Sequence, residues 1–178
     1  MKVDTLKGVF PVIFITLIVF VAVMLLSVVD GYTREQIEYQ EEQKRLGMLT
    51  EMFPDMSEYD FEDDIYIIYA DGAKIGYAFL AVGRGYGGTI TILVGLENET
   101  TIKGIAVVSQ SETPGLGARI TESSFVDEFA GLNISEVAVK RDGGQIDALT
   151  GATISSRAVA DAVRTTAMEK IKSLEEGE

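Results

Sequence analysis

The 178-residue chain contains no cysteine and no histidine. Without cysteine there is no disulfide framework, and nothing in the composition marks a redox compartment. Together the two absences rule out haem ligation by His or Cys, iron–sulfur clusters and His/Cys zinc sites within the chain. Serine-type catalysis with a histidine base is excluded as well. Redox work by such a chain requires an organic cofactor that needs none of these ligands. Basic charge is also scarce, with 15 Lys and Arg against 28 Asp and Glu and a formal net charge of −13. Nucleic acid is therefore not an expected partner.

A long uncharged run is present. Val9 to Val29 covers 21 positions without a charged residue, about the number a helix needs to cross a bilayer. Lys2 and Lys7 precede it and Asp30 follows it, so the bias of basic residues puts 1–8 in the cytoplasm and the rest outside. A cleaved signal peptide needs a shorter apolar region and a small-x-small site, and Leu26-Ser27-Val28-Val29-Asp30 offers none, which favours an uncleaved anchor. Beyond the anchor, 27 acidic residues face 13 basic ones. That balance favours solubility, and it leaves open repulsion from lipid or attraction to a basic carrier protein.

The expected organisation is a cytoplasmic segment 1–8, a transmembrane helix 9–29, a juxtamembrane helix and linker 30–55 and an extracytoplasmic domain 56–178. Tyr32 to Met52 has helix formers with Ile37, Leu46 and Leu49 among charges, and Phe53-Pro54 ends it because proline cannot continue the ladder. Four strands follow. Asp71-Gly72 between Ile65–Tyr69 and Ile75–Leu80 is a hairpin signal, and Thr89–Leu96 pairs with Ile102–Ser109. Between the two pairs, Gly83-Arg84-Gly85-Tyr86-Gly87-Gly88 is too glycine-rich for strand and suits close approach of a ligand. Glu112-Thr113-Pro114-Gly115-Leu116-Gly117 reads as a turn. A short helix over Thr121–Gly131 carries Phe125 and Phe129 as core residues, Val137–Val139 reads as a short strand, and Asp142-Gly143-Gly144 as a turn. Helix, sheet, then helices gives an α+β fold with a mainly antiparallel sheet. Asn98-Glu99-Thr100 and Asn133-Ile134-Ser135 match the glycosylation sequon, a pattern with a high chance rate.

The last helix is expected over Ser155–Leu174, from the spacing of Ala158, Val159, Ala162, Val163, Ala167 and Ile171. Thr153 then falls at or near its N-cap, within Asp147-Ala148-Leu149-Thr150-Gly151-Ala152-Thr153. A helix N-terminus has unpaired N–H groups and the positive end of the macrodipole, so Thr153 suits either a plain cap or a phosphate site. Three glycine-containing loops, at 83–88, 112–117 and 150–153, suggest a pocket of backbone groups for a planar, phosphorylated ligand. Glu112 alone reads as a solvated loop carboxylate, and Asp147 as a strand end.

These motifs resemble the FMN-binding domain family, found in the G subunit of the Rnf electron-transport complex and the C subunit of the Na⁺-translocating NADH:quinone reductase. The resemblance runs through Gly85-Tyr86-Gly87-Gly88, the Glu112–Gly117 loop, Asp147 and Thr150-Gly151-Ala152-Thr153. The short chain without insertions looks closer to the Rnf branch. It implies FMN attached through a phosphoester to Thr153 by a separate flavin transferase using FAD and a metal ion. Small Gly151 and Ala152 leave the hydroxyl reachable, Thr150 completes the motif, and the resemblance offers Asp147 a second reading as a ligand for the transferase's metal. It also implies Glu112, Thr113, Gly115, Leu116 and Gly117 beside the flavin, with Tyr86 and Gly87 nearby. Family members often have histidine two residues before the glutamate, where this chain has Gln110.

The implied role is electron carriage within an ion-translocating complex of other membrane subunits, with an extracytoplasmic carrier as a further partner. No dinucleotide-binding fingerprint is present, and the apolar run offers no charge for an ion path, so hydride chemistry and translocation belong to partner subunits. No catalytic residue and no metal site are expected in this chain. The competing expectation is a membrane-anchored binding or regulatory module of the same fold without flavin, in which Thr153 merely caps a helix.

Overall fold

The computed structural model describes Val3–Gly177. Met1, Lys2 and Glu178 lie outside the described residues, and Lys2, one of the two lysines behind the expected orientation, is among them. The chain divides into two compact units, Met1–Gln43 and Lys44–Glu178.

Helix α1 covers Val3–Met52, with Pro11 inside it. In the first unit, Phe10–Gly31 has a mean hydropathy of 3.2 and no buried part. Phe10, Ile13, Leu17, Phe20, Leu25 and Val28 are all exposed. A helix that is apolar all round gains nothing from water, whereas a bilayer supplies the missing apolar contact. One such helix is compatible with a single-pass anchor.

The second unit begins with the final turns of α1, and these are core. Leu49 and Phe53 are buried with Tyr66, Ile68, Ala78 and Leu93, so the end of the expected juxtamembrane stretch is a folded part of the domain. The helix stops where expected, the Phe53 N–H bonding Leu49 O just before Pro54.

Five strands follow in a single antiparallel meander: β1 Glu58–Glu62, β2 Ile65–Ala70, β3 Ala73–Arg84, β4 Thr89–Asn98 and β5 Thr101–Gln110. The sequence indicated four. The additional strand, β1, is EYDFE and exposed at every position. It exists as an edge strand, where its acidic side chains face water while its backbone pairs with β2. Its turn, Asp63-Asp64, has φ of 49° and 62°, the same positive-φ pair as Asp71-Gly72 at 50° and 77°. This is the backbone twist that two-residue hairpins favour. Strand β4 lies inside the sheet between β3 and β5, with Ile90, Ile92, Leu93, Val94 and Leu96 at zero exposure.

Gly83 and Arg84 belong to β3 rather than to a loop. A Cβ on Gly83 would lie 2.7 Å from the Ala158 carbonyl oxygen, so this glycine serves the packing of a helix on the strand. That helix, α3, spans Thr153–Gly177, two residues earlier and three later than expected. Its buried Val159, Ala160, Val163 and Ala167 join Ile92, Val94, Phe125 and Phe129 in the larger core. The last two are fully buried and meet edge-on at 5.5 Å.

The connection from β5 to α3 departs from expectation in two places. The helix expected over Thr121–Gly131 is a 3-10 turn Gly117–Thr121, a four-residue helix α2 (Ser123–Val126) and a 3-10 turn Asp127–Phe129. Extended Glu122 separates the first two, and such short pieces are held by burying Phe125 and Phe129, not by helix propensity. Val137–Val139 forms no strand; Val139 makes one isolated bridge to Ile146. Both sequons are local turns. Asn98 Oδ1 accepts from the N–H of Thr100, and Asn133 Oδ1 from that of Ser135, which gives the Asn-x-Ser/Thr pattern a conformational reason.

Candidate functional site

Three hydroxyls open α3, and they fare differently. Ser156 Oγ donates to Ala152 O at 3.0 Å and accepts the Leu149 N–H at 3.1 Å. It ties the incoming loop to the first turn from a fully buried position. Ser155 Oγ donates to Glu112 Oε2 at 2.6 Å. The helix's first main-chain bond runs from Ser156 N–H to Ala152 O, so Ala152 holds the cap position and Thr153 is the first helical residue. The Thr153 hydroxyl therefore does not cap the helix, and it makes no hydrogen bond among the described residues. Half-buried, it lines a cleft.

The cleft has a volume of about 470 Å³ and is walled by the three loops read from the sequence. Tyr86 comes from the first loop, Glu112, Thr113, Leu116 and Gly117 from the second, and Gly151, Ala152 and Thr153 from the third. Of the other expected residues, Gly87 reaches the site through its amide, which donates to Glu112 Oε1 at 2.9 Å. Gly115 sits at a turn with φ of 74°, and Thr150 is exposed in the turn before the helix; neither lines the cleft. The second and third loops touch, since a Cβ on Gly151 would lie 3.1 Å from Leu116 Cδ2, and Gly151 has φ of 82°.

Two lining residues, Ile154 and Ser155, escaped the sequence reading. Ile154 had a visible signal, being a large aliphatic residue in a run otherwise of small ones. Its exposure of 55% joins that of Tyr86 at 75% and Leu116 at 48% to form an apolar mouth. Ser155 had no such signal, because nothing in the local sequence announces a partner 43 positions away.

Glu112 is not a solvated loop carboxylate. It is 6% exposed and both its oxygens accept hydrogen bonds. Its own N–H donates to Gln110 Oε1 at 2.6 Å, so Gln110 holds the backbone of the loop. Asp147 ends no strand: Lys140 Nζ donates to its Oδ2 at 2.6 Å and its N–H donates to Glu128 Oε2 at 2.6 Å. No cluster suited to a metal ion occurs among the described residues. Near the start of α3, Arg157 grips Asp142 through two bonds of 2.5 and 3.0 Å. The Asp142 hydrogen bond and charge raise the Arg157 guanidinium above its ordinary value.

Residues 85–167, the stretch that builds this cleft, match the FMN-binding domain family. The chain is 33% identical to the G subunit of the ion-translocating oxidoreductase complex of Aliivibrio fischeri, over 84% of each chain. It belongs to the family of these G subunits. A second relative of the same name, from Methanosarcina acetivorans, is 32% identical over 86% of this chain and 90% of its own. Among solved structures, the C subunit of the Na⁺-translocating NADH-quinone reductase from Parabacteroides distasonis superposes with a TM-score of 0.53 at 28% identity, covering 61% of this chain and 60% of that one. This member of the G-subunit family thus carries an FMN-binding domain on a sheet-and-helix fold shared with the reductase's C subunit.

The cleft suits such a cofactor. Its volume lies within the roughly 300–1,000 Å³ typical of ligand sites. Leu116, Ile154 and Tyr86 offer apolar surface to a planar ring, while the first amides of α3, which have no main-chain partner among the described residues, offer donors to a phosphate.

Proposed function

We propose that this chain is the electron-carrying subunit of a membrane-bound, redox-driven ion-translocating oxidoreductase complex of the Rnf type. In this reading FMN is held through a phosphoester to Thr153. The observation that carries it is the Thr153 hydroxyl, which is free of hydrogen bonds among the described residues and lines the cleft at the start of α3 while its neighbours Ser155 and Ser156 are both engaged. The relatives are named as G subunits of ion-translocating oxidoreductase complexes, which supports partner subunits. The exposed apolar helix Phe10–Gly31 supports single-pass anchoring. With Lys2 and Lys7 ahead of that helix, the domain lies on the extracytoplasmic side, where an extracytoplasmic carrier has access to it.

An unaided threonine hydroxyl is a weak nucleophile, so attachment needs a flavin transferase. The Thr153 oxygen forms a bond to the FMN phosphorus of FAD, the pyrophosphate P–O bond breaks, AMP leaves, and the hydroxyl proton passes to a base of the transferase. Gly151 and Ala152 keep this approach open, having no side chain beyond a methyl group. Once bound, FMN supplies the redox chemistry, accepting and releasing electrons singly or in pairs. The chain's residues would hold and orient it: Thr153 would anchor the phosphate, the α3 N-terminus would stabilise its negative charge, and Tyr86, Leu116 and Ile154 would offer the ring apolar surface.

Denaturing electrophoresis under ultraviolet light tests the reading. Full-length chain from cells containing a flavin transferase gives a fluorescent band that survives SDS and is absent in Thr153→Ala. A dark wild-type band, or a fluorescent Thr153→Ala band, overturns it.

A further inference from the structure

The first two loops of the cleft and the first turn of α3 converge on one carboxylate. Glu112 Oε1 takes the Gly87 N–H from the first loop, and Oε2 takes the Ser155 hydroxyl from the first turn of α3. Glycines surround the same group. A Cβ on Gly85 would lie 2.2 Å from Oε1, and one on Gly117 would lie 2.5 Å from Oε2 and 3.0 Å from Ser155 Oγ. A side chain at either position would displace the carboxylate, so both glycines leave it the space it occupies. Burying a carboxylate is costly unless its oxygens are paired, and hydrogen bonds to such a group are about twice as strong as neutral ones. This carboxylate also meets the positive end of α3, a 25-residue helix. Ser155 is two residues beyond Thr153, so the bond that fixes Ser155 also fixes the turn presenting Thr153.

We propose that Glu112 is a positioning residue acting through Ser155 and the Gly87 amide. It locks the start of α3 and the 85–88 loop in the arrangement that faces the Thr153 hydroxyl into the cleft, and thereby sets the rate at which that hydroxyl accepts flavin. Each of its oxygens accepts from the clamp and neither is bonded to the Thr153 hydroxyl among the described residues, so its part in the transfer is to hold the turn. This inference rests on Thr153 being the attachment residue, and it assigns Ser155 a role that the local sequence does not show. Gln110 completes the device, since its side chain holds the Glu112 amide.

The test uses full-length chain in detergent with purified flavin transferase, FAD and Mg²⁺, following covalent fluorescence over time, with Thr153→Ala as control. Ser155→Ala keeps the Gly87 arm and removes one hydroxyl. Its kcat for flavin attachment falls about tenfold, with KM for the acceptor chain within about twofold, as expected when orientation rather than encounter is lost. Glu112→Gln keeps the clamp's shape, because its amide can still accept from Gly87 and donate to Ser155 Oγ; it stays within about threefold of wild type. Hydrogen exchange read on the same apo proteins shows faster exchange at 153–156 and 85–88 in Ser155→Ala but not in Glu112→Gln. Wild-type kcat in Ser155→Ala, unchanged exchange, or a rate loss explained wholly by a larger unfolded fraction overturns the inference. Wild-type chain that takes no flavin at Thr153 overturns the attachment reading instead, and the clamp is then judged by the exchange data alone.

Discussion

The first turn of α3 and the buried carboxylate beneath it use the same resource, hydroxyl and amide groups, to opposite ends. Around Glu112, Ser155 and Ser156 the groups are matched: Ser155 and Ser156 are at most 1% exposed, and each hydroxyl has a protein partner. One step toward the cleft, Thr153 has a hydroxyl with no bond among the described residues, and small Gly151 and Ala152 precede it. The contrast singles out Thr153 as the hydroxyl that its surroundings leave uncommitted among the described residues. Ser155 and Ser156 sit as near the helix start as Thr153, yet their oxygens are committed to holding the fold.

The largest effect follows from erasing the contrast at Thr153. Thr153→Ala abolishes covalent flavin, and Thr153→Ser keeps it, by in-gel fluorescence. Overfilling the matched side comes next. Gly117→Ala places a Cβ against Glu112 and Ser155 and lowers stability by about 1–3 kcal/mol, the usual cost of overpacking, as read by denaturant unfolding. Its flavin attachment falls with it. Ser156→Ala leaves the half-buried Leu149 amide without its partner and costs about 1–2 kcal/mol, measured as a lower unfolding midpoint, while the Thr153 hydroxyl remains free. The smallest effect belongs to Arg157→Ala, which removes a surface pair with Asp142, both side chains about 40% exposed. Because Asp142 raises the guanidinium above its ordinary value, the stability linked to the arginine's charge is present below its unfolded-state value and is lost as pH rises through the higher folded one. Unfolding midpoints of Arg157→Ala and wild type therefore show no difference in slope between neutral and mildly acidic pH.

The parts of this arrangement legible in the sequence were those written in local pattern. The apolar run before Asp30, the Asp71-Gly72 hairpin, the stripe of α3 and the three glycine loops each depend on neighbours within a few positions. Strand β1 was hidden because its acidic residues mask a strand that only an edge position tolerates. The broken helix around Phe125 was hidden because its shape is set by where two rings must be buried. At the site, Thr153 and the loops around it could be picked out, but the pairing of Glu112 with Ser155 could not. A contact across 43 residues exists only once β5 and α3 are packed, and the glycines that make room for it read beforehand as ligand loops.

Mass spectrometry of the tryptic peptide covering residues 142–157 addresses the central claim most directly. Prepared from chain matured with a flavin transferase, the peptide carries an added mass equal to FMN less water, and fragmentation places it on Thr153. An unmodified peptide, or the same mass on Thr150, Ser155 or Ser156, contradicts the account.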